Sequence, residues 1–209
     1  MKKKSLLILG TFSTVLLIGL FFLNAYFFYR LTNHFLWKLA YPDKKENSKQ
    51  IEELLKHFQI DFEQDQDLLL FEAKETGMEI SKRFATRGRH SLLVEFPAGA
   101  EFPGITLETF GSKCFDWSNV EALVFDVLNV AKLEVGLTIK LKSGKKYPKS
   151  DFEKKVMLPP LKPVTIVVTR QELKNLLDLK NISYLNFHMR DPRTTFFLYI
   201  DNIRVVRSG

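Results

Sequence analysis

Leu133-Glu134-Val135-Gly136-Leu137-Thr138-Ile139-Lys140-Leu141-Lys142 alternates apolar and polar side chains along its whole length. Successive strand residues point to opposite faces, so this period of two describes a strand with one buried and one wet face. Ser143-Gly144-Lys145-Lys146 then turns the chain. The same alternation recurs outward from here. Leu92, Val94 and Phe96 carry it on one side, as do Leu123, Phe125 and Val127; Val164, Ile166 and Val168 carry it on the other. Further strands are expected at Leu68–Glu72, Met78–Phe84, Ile105–Phe110, Phe152–Leu158, Ile182–Met189 and Thr195–Val206, with a helical turn or two within Arg170–Leu177. From about Asp67 to the C-terminus the pattern is that of an all-β sandwich or jelly roll.

Upstream the pattern changes. Lys2, Lys3 and Lys4 precede an apolar run over residues 5–29 that ends in Tyr26-Phe27-Phe28-Tyr29 and is closed by Arg30. About 20 helical residues cross a hydrocarbon core, and aromatic residues favour its boundary. The run is longer than the apolar region of an ordinary signal peptide. It reads as an uncleaved signal anchor with the N-terminus cytoplasmic, a cleaved signal peptide being the alternative. Residues 31–66 form a juxtamembrane segment. Within it Asn47 precedes Ile51, Leu54, Leu55 and Phe58, spaced as one face of a short helix. The third division, residues 67–209, is the β domain, placed on the extracytoplasmic side.

Composition narrows the function. The formal charge is +7 among 209 residues, with cations spread along the chain rather than blocked or set on one helix, which argues against a nucleic-acid partner. One cysteine, Cys114, excludes an intrachain disulfide and a cysteine-based metal site. Its neighbours Phe110, Phe115 and Trp117 suggest a buried thiol. The carboxylates are scattered; Asp151 and Glu153 make the nearest pair, and Lys154-Lys155 beside them reads as surface. His90 and His188 are the histidines of the domain, without zinc-helix spacing. Gly77, Gly88 and Gly99 are isolated, so there is no phosphate loop, and no Gly-x-Ser-x-Gly elbow occurs. The chain is read as non-catalytic.

Four stretches, taken in order, resemble a known group. They are Leu69-Leu70-Phe71-Glu72 followed by Ala85-Thr86-Arg87-Gly88-Arg89-His90-Ser91-Leu92; Asp116-Trp117-Ser118 leading to Leu123-Val124-Phe125-Asp126-Val127; Val164–Val168 with Leu173, Leu179 and Ile182; and Leu198-Tyr199-Ile200-Asp201-Asn202-Ile203-Arg204. Together they resemble carbohydrate-binding modules of the galactose-binding-domain-like jelly-roll superfamily, over roughly residues 67–207. The resemblance implies a structural calcium ion joining the first and last strands. Its ligands would be the Glu72 and Asp201 carboxylates and backbone carbonyls near Gly88. Otherwise Glu72 is a polar edge residue and Asp201 caps a turn with Asn202. The resemblance also implies a glycan site built from exposed aromatic and planar polar side chains. Trp37, Trp117, Tyr147, Phe152 and Tyr184 are the aromatic candidates, Trp117 falling on a motif that looks structural. Tyr147 stands in a basic hairpin with Lys145, Lys146 and Lys149, and Lys140 and Lys142 share its approach. Tyr147, Lys140, Lys142 and Lys145 are therefore the candidate ligand residues, for an acidic polysaccharide or an anionic lipid surface. The partners expected are membrane lipid through residues 5–29 and a polysaccharide. The alternative to glycan binding is a structural or interaction module holding another envelope protein.

Overall fold

The computed structural model describes residues 57–108, 114–144 and 151–208. Eleven strands are found among them: β1 Gln59–Ile60, β2 Phe71–Lys74, β3 Gly77–Ser81, β4 Ser91–Phe96, β5 Gly104–Glu108, β6 Val120–Asn129, β7 Val135–Ser143, β8 Asp151–Leu158, β9 Pro163–Thr169, β10 Ile182–His188 and β11 Phe196–Arg207. The strands form two antiparallel sheets. The first runs β3-β4-β11-β6-β9, with β1 also paired to β11; the second runs β2-β5-β10-β7-β8. Strand β7 shows why the opening decapeptide is decisive. Val135, Leu137, Ile139 and Leu141 are buried, and Gly136, Thr138, Lys140 and Lys142 face outward. Leu92, Val94, Phe125, Val127, Ile166 and Ile200 face it from the first sheet. The all-β jelly-roll architecture is as the alternation predicts.

Between β9 and β10 the chain makes one α-helical turn, Arg170–Leu173, with a capping box, and a 3₁₀ turn, Leu179–Asn181. Thr169 Oγ1 accepts from the Glu172 backbone, and the Glu172 carboxylate accepts from the Thr169 N–H. Lys154 Nζ donates to Glu172 and to the Val167 carbonyl, which ties the edge strand β8 of the second sheet to β9 at the edge of the first.

Two stretches differ from expectation. Leu68–Glu72 is not one strand: residues Asp65–Leu70 form a 3₁₀ turn, and β2 starts at Phe71. Three consecutive leucines have no alternation to impose, and the turn lets both Leu68 and Leu70 lean on the core. The core also recruits residues ahead of Asp67. Phe58, Ile60 and Phe62 are fully or almost fully buried, and the Phe58 ring meets those of Phe115 and Trp117 edge-on, with centroids at 4.8 and 5.1 Å. Among the described residues no helix is long and apolar enough to cross a membrane. The expected spanning segment, and all of the juxtamembrane helix save its end at His57 and Phe58, lie outside them.

Candidate glycan-binding face

The outer face of the second sheet is polar in register across its strands. Glu72, Thr106, Asn186, Lys140 and Glu153 stand side by side on β2, β5, β10, β7 and β8. One row up are Glu108, Tyr184, Lys142 and Asp151; one row down are Lys74, Gly104, His188, Thr138 and Lys155. This follows from the period of two: each strand that puts Val, Leu, Ile or Phe into the core must put its alternate residues on this face.

Hydrogen bonds hold the centre of the face. Asn186 Nδ2 donates to Thr106 Oγ1 at 2.9 Å and to the Ile105 carbonyl at 3.1 Å. Asn186 Oδ1 lies 2.7 Å from His188 Nδ1. The other ring nitrogen, Nε2, is 3.7 Å from Glu153. Burial lowers the His188 pKa, opposed by Glu153 and reinforced by Lys140 and Arg190. The neutral ring thus predominates near pH 7. Lys140 Nζ lies 3.4 Å from Asp151 and 3.7 Å from Glu153. Lys142 Nζ sits 4.6 Å from the Tyr184 ring centroid, a cation–π pair that fixes the ring's attitude. At the rim, Arg190 lies over Phe102 at 5.3 Å, and Phe102 packs near His188. Gly104 has a local reason: a β-carbon there would press on the Phe187 carbonyl at 2.6 Å and on His188.

The sequence-derived candidates separate. Lys140, Lys142 and Tyr184 come together on this face. Tyr147 and Lys145 lie outside the described residues. Phe152 points the other way and is buried in the core, as is Trp117. Glu72 belongs to this face too. Asp201 lies instead on the outer side of the first sheet, opposite Asp126 on β6, so the two carboxylates point away from each other across the sandwich.

Asp201 is almost fully buried, and its surroundings explain why it is an acid. Oδ2 accepts from the Thr86 N–H (2.6 Å), the Arg87 N–H (2.9 Å) and Thr86 Oγ1 (2.9 Å); Oδ1 accepts from the Asn202 N–H (2.6 Å). Burial raises its pKa, and these donors oppose the rise. The loop 82–90 is gripped at its other end by Glu63, whose Oε1 accepts from the Arg89 and His90 N–H groups. Those two hydrogen bonds are the leading cause of the lowered Glu63 pKa. Calcium takes about six to eight oxygen ligands. Asp201 is surrounded by donors, and Glu72 is on the far face, so this trio does not fit the ion. Among the described residues no three His, Cys, Asp or Glu side chains converge on a metal position. Glu63 escaped the sequence reading, although Asp61-Phe62-Glu63 just ahead of the expected domain start is the signal that would have exposed it.

No family profile and no curated protein match the chain. Solved structures do. A family 11 carbohydrate-binding module from Clostridium thermocellum, in complex with a β-1,3-1,4-mixed-linked tetrasaccharide, aligns with a TM-score of 0.54 at 17% identity, over 71% of this chain and 94% of the module. The fold is that of a carbohydrate-binding module. A xylan-binding family 22 module from Paenibacillus barcinonensis aligns at 0.51 and 14% identity, over 72% of this chain and 94% of the module. An exo-β-agarase aligns at 0.60 and 15% identity over 71% of this chain, which spans only 24% of the enzyme.

Proposed function

We propose that the chain is a membrane-anchored, non-catalytic glycan-binding module, held outside the membrane by residues 5–29, with the outer face of the second sheet as its binding surface. The observation that carries this reading is the three-row polar face with Tyr184 in its top row. Sugars are bound by hydrogen bonds to planar polar groups and by stacking on rings, and this face offers both on rigid strands.

Its charge selects the ligand. Lys74, Lys140, Lys142 and Lys155 stand against Glu72, Glu108, Asp151 and Glu153. Lys140 is already neutralised by two of those acids. A balanced surface favours an uncharged polysaccharide over the acidic one expected from the lysines alone. The similar modules bind a β-1,3-1,4-mixed-linked tetrasaccharide and xylan, whose backbones are uncharged as well.

The test is affinity electrophoresis of the full chain in detergent through gels containing mixed-linked β-glucan, xylan, agarose or alginate. Retardation by an uncharged polymer, lost in Tyr184→Ala, is expected. Retardation by alginate alone would restore the acidic ligand. No retardation in any gel would leave the envelope-protein interaction module as the better reading.

A further inference from the structure

We infer that the outer face of the first sheet, opposite the glycan face, docks on an anionic lipid bilayer through Phe84 and Leu161. This rests on the anchor reading above, which places the domain beside a membrane, and it gives the domain an orientation there: apolar face down, polar face out.

The two outer faces differ in kind. Of the seven large hydrophobic side chains exposed among the described residues, Phe84, Leu161, Val167, Phe197 and Val206 belong to the first sheet's side. Phe84 is 45% and Leu161 63% exposed. Both are held in the left-handed region, at φ 57° and 54°. A bulky residue there is strained, and strain is kept where the surroundings enforce it. Here it turns two apolar side chains toward solvent. Phe84 is braced from below by Tyr199, edge-on with centroids at 4.8 Å. Between Phe84 and Leu161 lies a cavity of about 250 Å³ floored by Leu128 and Tyr199 and edged by Pro163, with Thr86 and the hydrogen-bonded Asp126 and Asp201 on its polar side.

Charge decides the occupant. The loop carrying Phe84 reads Lys82-Arg83-Phe84-Ala85-Thr86-Arg87-Gly88-Arg89, four exposed cations and no acid, and Lys162 follows Leu161. None of these cations forms an ion pair among the described residues. Arg83 lies over the Phe84 ring at 5.2 Å. The acids nearby do not cancel them. Asp126 and Asp201 are enclosed by hydrogen bonds, Glu63 is engaged by the Arg89 and His90 N–H groups at the far end of the loop and offsets one of its charges, and Glu79 and Glu95 lie toward the β3 edge of the sheet. An exposed aromatic among cations that outnumber the acids beside them matches the interface of an anionic bilayer, where rings sit at headgroup level and each basic residue adds attraction. An apolar protein partner would not need the cations.

The test uses the full chain with Cys114→Ser, reconstituted into vesicles of phosphatidylcholine and phosphatidylglycerol. Single cysteines at Phe84, Leu161 or Lys155 carry an environment-sensitive fluorophore. Flotation after an alkaline wash first checks the anchor; a chain that does not float refutes the anchor reading. In vesicles that pass, labels at 84 and 161 are expected to shift to the blue and to be quenched by doxyl lipid, with the label at 155 unaffected. Because a bulky label replaces Phe84, the unlabelled Arg83→Gln/Arg87→Gln chain is tested with the label at 161. Docking there should fall about fivefold per neutralised cation, from about 1 kcal/mol for each basic residue near an anionic surface, and should vanish in pure phosphatidylcholine. Equal quenching at all three positions, or none at 84 and 161, overturns the proposal. So does a blue shift without lipid quenching, which would identify a protein on this face.

Discussion

A β-carbon on Gly88 would collide with the Glu63 carboxylate. Gly88 also sits at φ +72°, and Glu63 receives the two N–H groups that follow it. Backbone conformation and carboxylate grip therefore specify the same residue twice. Gly88→Ala is expected to destabilise the fold by about 1–3 kcal/mol, from left-handed strain together with displacement of Glu63. Glu63→Gln should keep Oε1 as an acceptor and cost less. Urea denaturation of both variants checks the order; an alanine variant as stable as the parent would mean the loop is not clasped.

Asp201 and Glu72 make a second contrast. Asp201→Ala strands the Thr86 and Arg87 N–H groups beneath the loop. A loss of about 3 kcal/mol is expected, since buried donors left without a partner cost about 1–3 kcal/mol each. Glu72→Ala, on the outer face of the other sheet, is expected to leave the melting midpoint unchanged. Both midpoints should be read in calcium and in EDTA. A calcium-dependent midpoint abolished by Glu72→Ala would show that the two carboxylates share an ion after all.

The parts of the fold legible in the sequence are those where one face is wet. Strands β4, β7 and β9 each alternate, and their burial follows the alternation; in β6, Val124 and Leu128 are buried along with the alternating Leu123, Phe125 and Val127. What period cannot show is which strands become neighbours. Lys140 and Lys142 were readable as outward-facing, but the row that joins Glu72, Thr106, Asn186 and Glu153 to them exists only once β2, β5, β10 and β8 are in register. The same limit explains the separation of Glu72 from Asp201: a motif order along the chain carries no information on which sheet each strand enters. Phe58, Ile60 and Phe62 were hidden because they end a segment with helical spacing. Leu161 and Phe84 look like ordinary strand-end hydrophobics until the backbone turns them out.

Those three N-terminal core residues set a boundary that can be measured. A chain of residues 67–209 lacks β1 and the rings that meet Phe115, Trp117 and Phe71. Truncating a buried Phe to Ala costs about 3–5 kcal/mol and an Ile about 2–5. Removing all three is on the order of 10 kcal/mol, comparable to the whole stability of a domain. Residues 47–209 are therefore expected to give a cooperative thermal transition, and residues 67–209 none. A cooperative transition of equal midpoint in both would place the three side chains outside the stabilising core.

Asp67 provides a pH signature. Burial pushes its carboxyl up to about 6 from an ordinary 3.8, against the Gln64 and Phe62 N–H groups that lower it. Below about pH 4 both folded and unfolded states hold the proton, and the group has no effect. Between about 4 and 6 the unfolded chain ionises while the folded one stays protonated, so ionisation favours unfolding and stability falls. Above 6 the penalty is constant. His188 slopes the other way, because its pKa is lowered: acidification below 6.5 charges the unfolded chain first. Only a difference between variant and parent isolates Asp67. Asp67→Asn keeps an oxygen for the two N–H groups and removes the charge. It is expected to raise the melting midpoint at pH 7, and the gain should shrink to nothing by pH 4. A gain independent of pH would assign the effect to packing in the 3₁₀ turn, and a loss at pH 7 would mean that the ionised carboxylate is what this turn is built to hold.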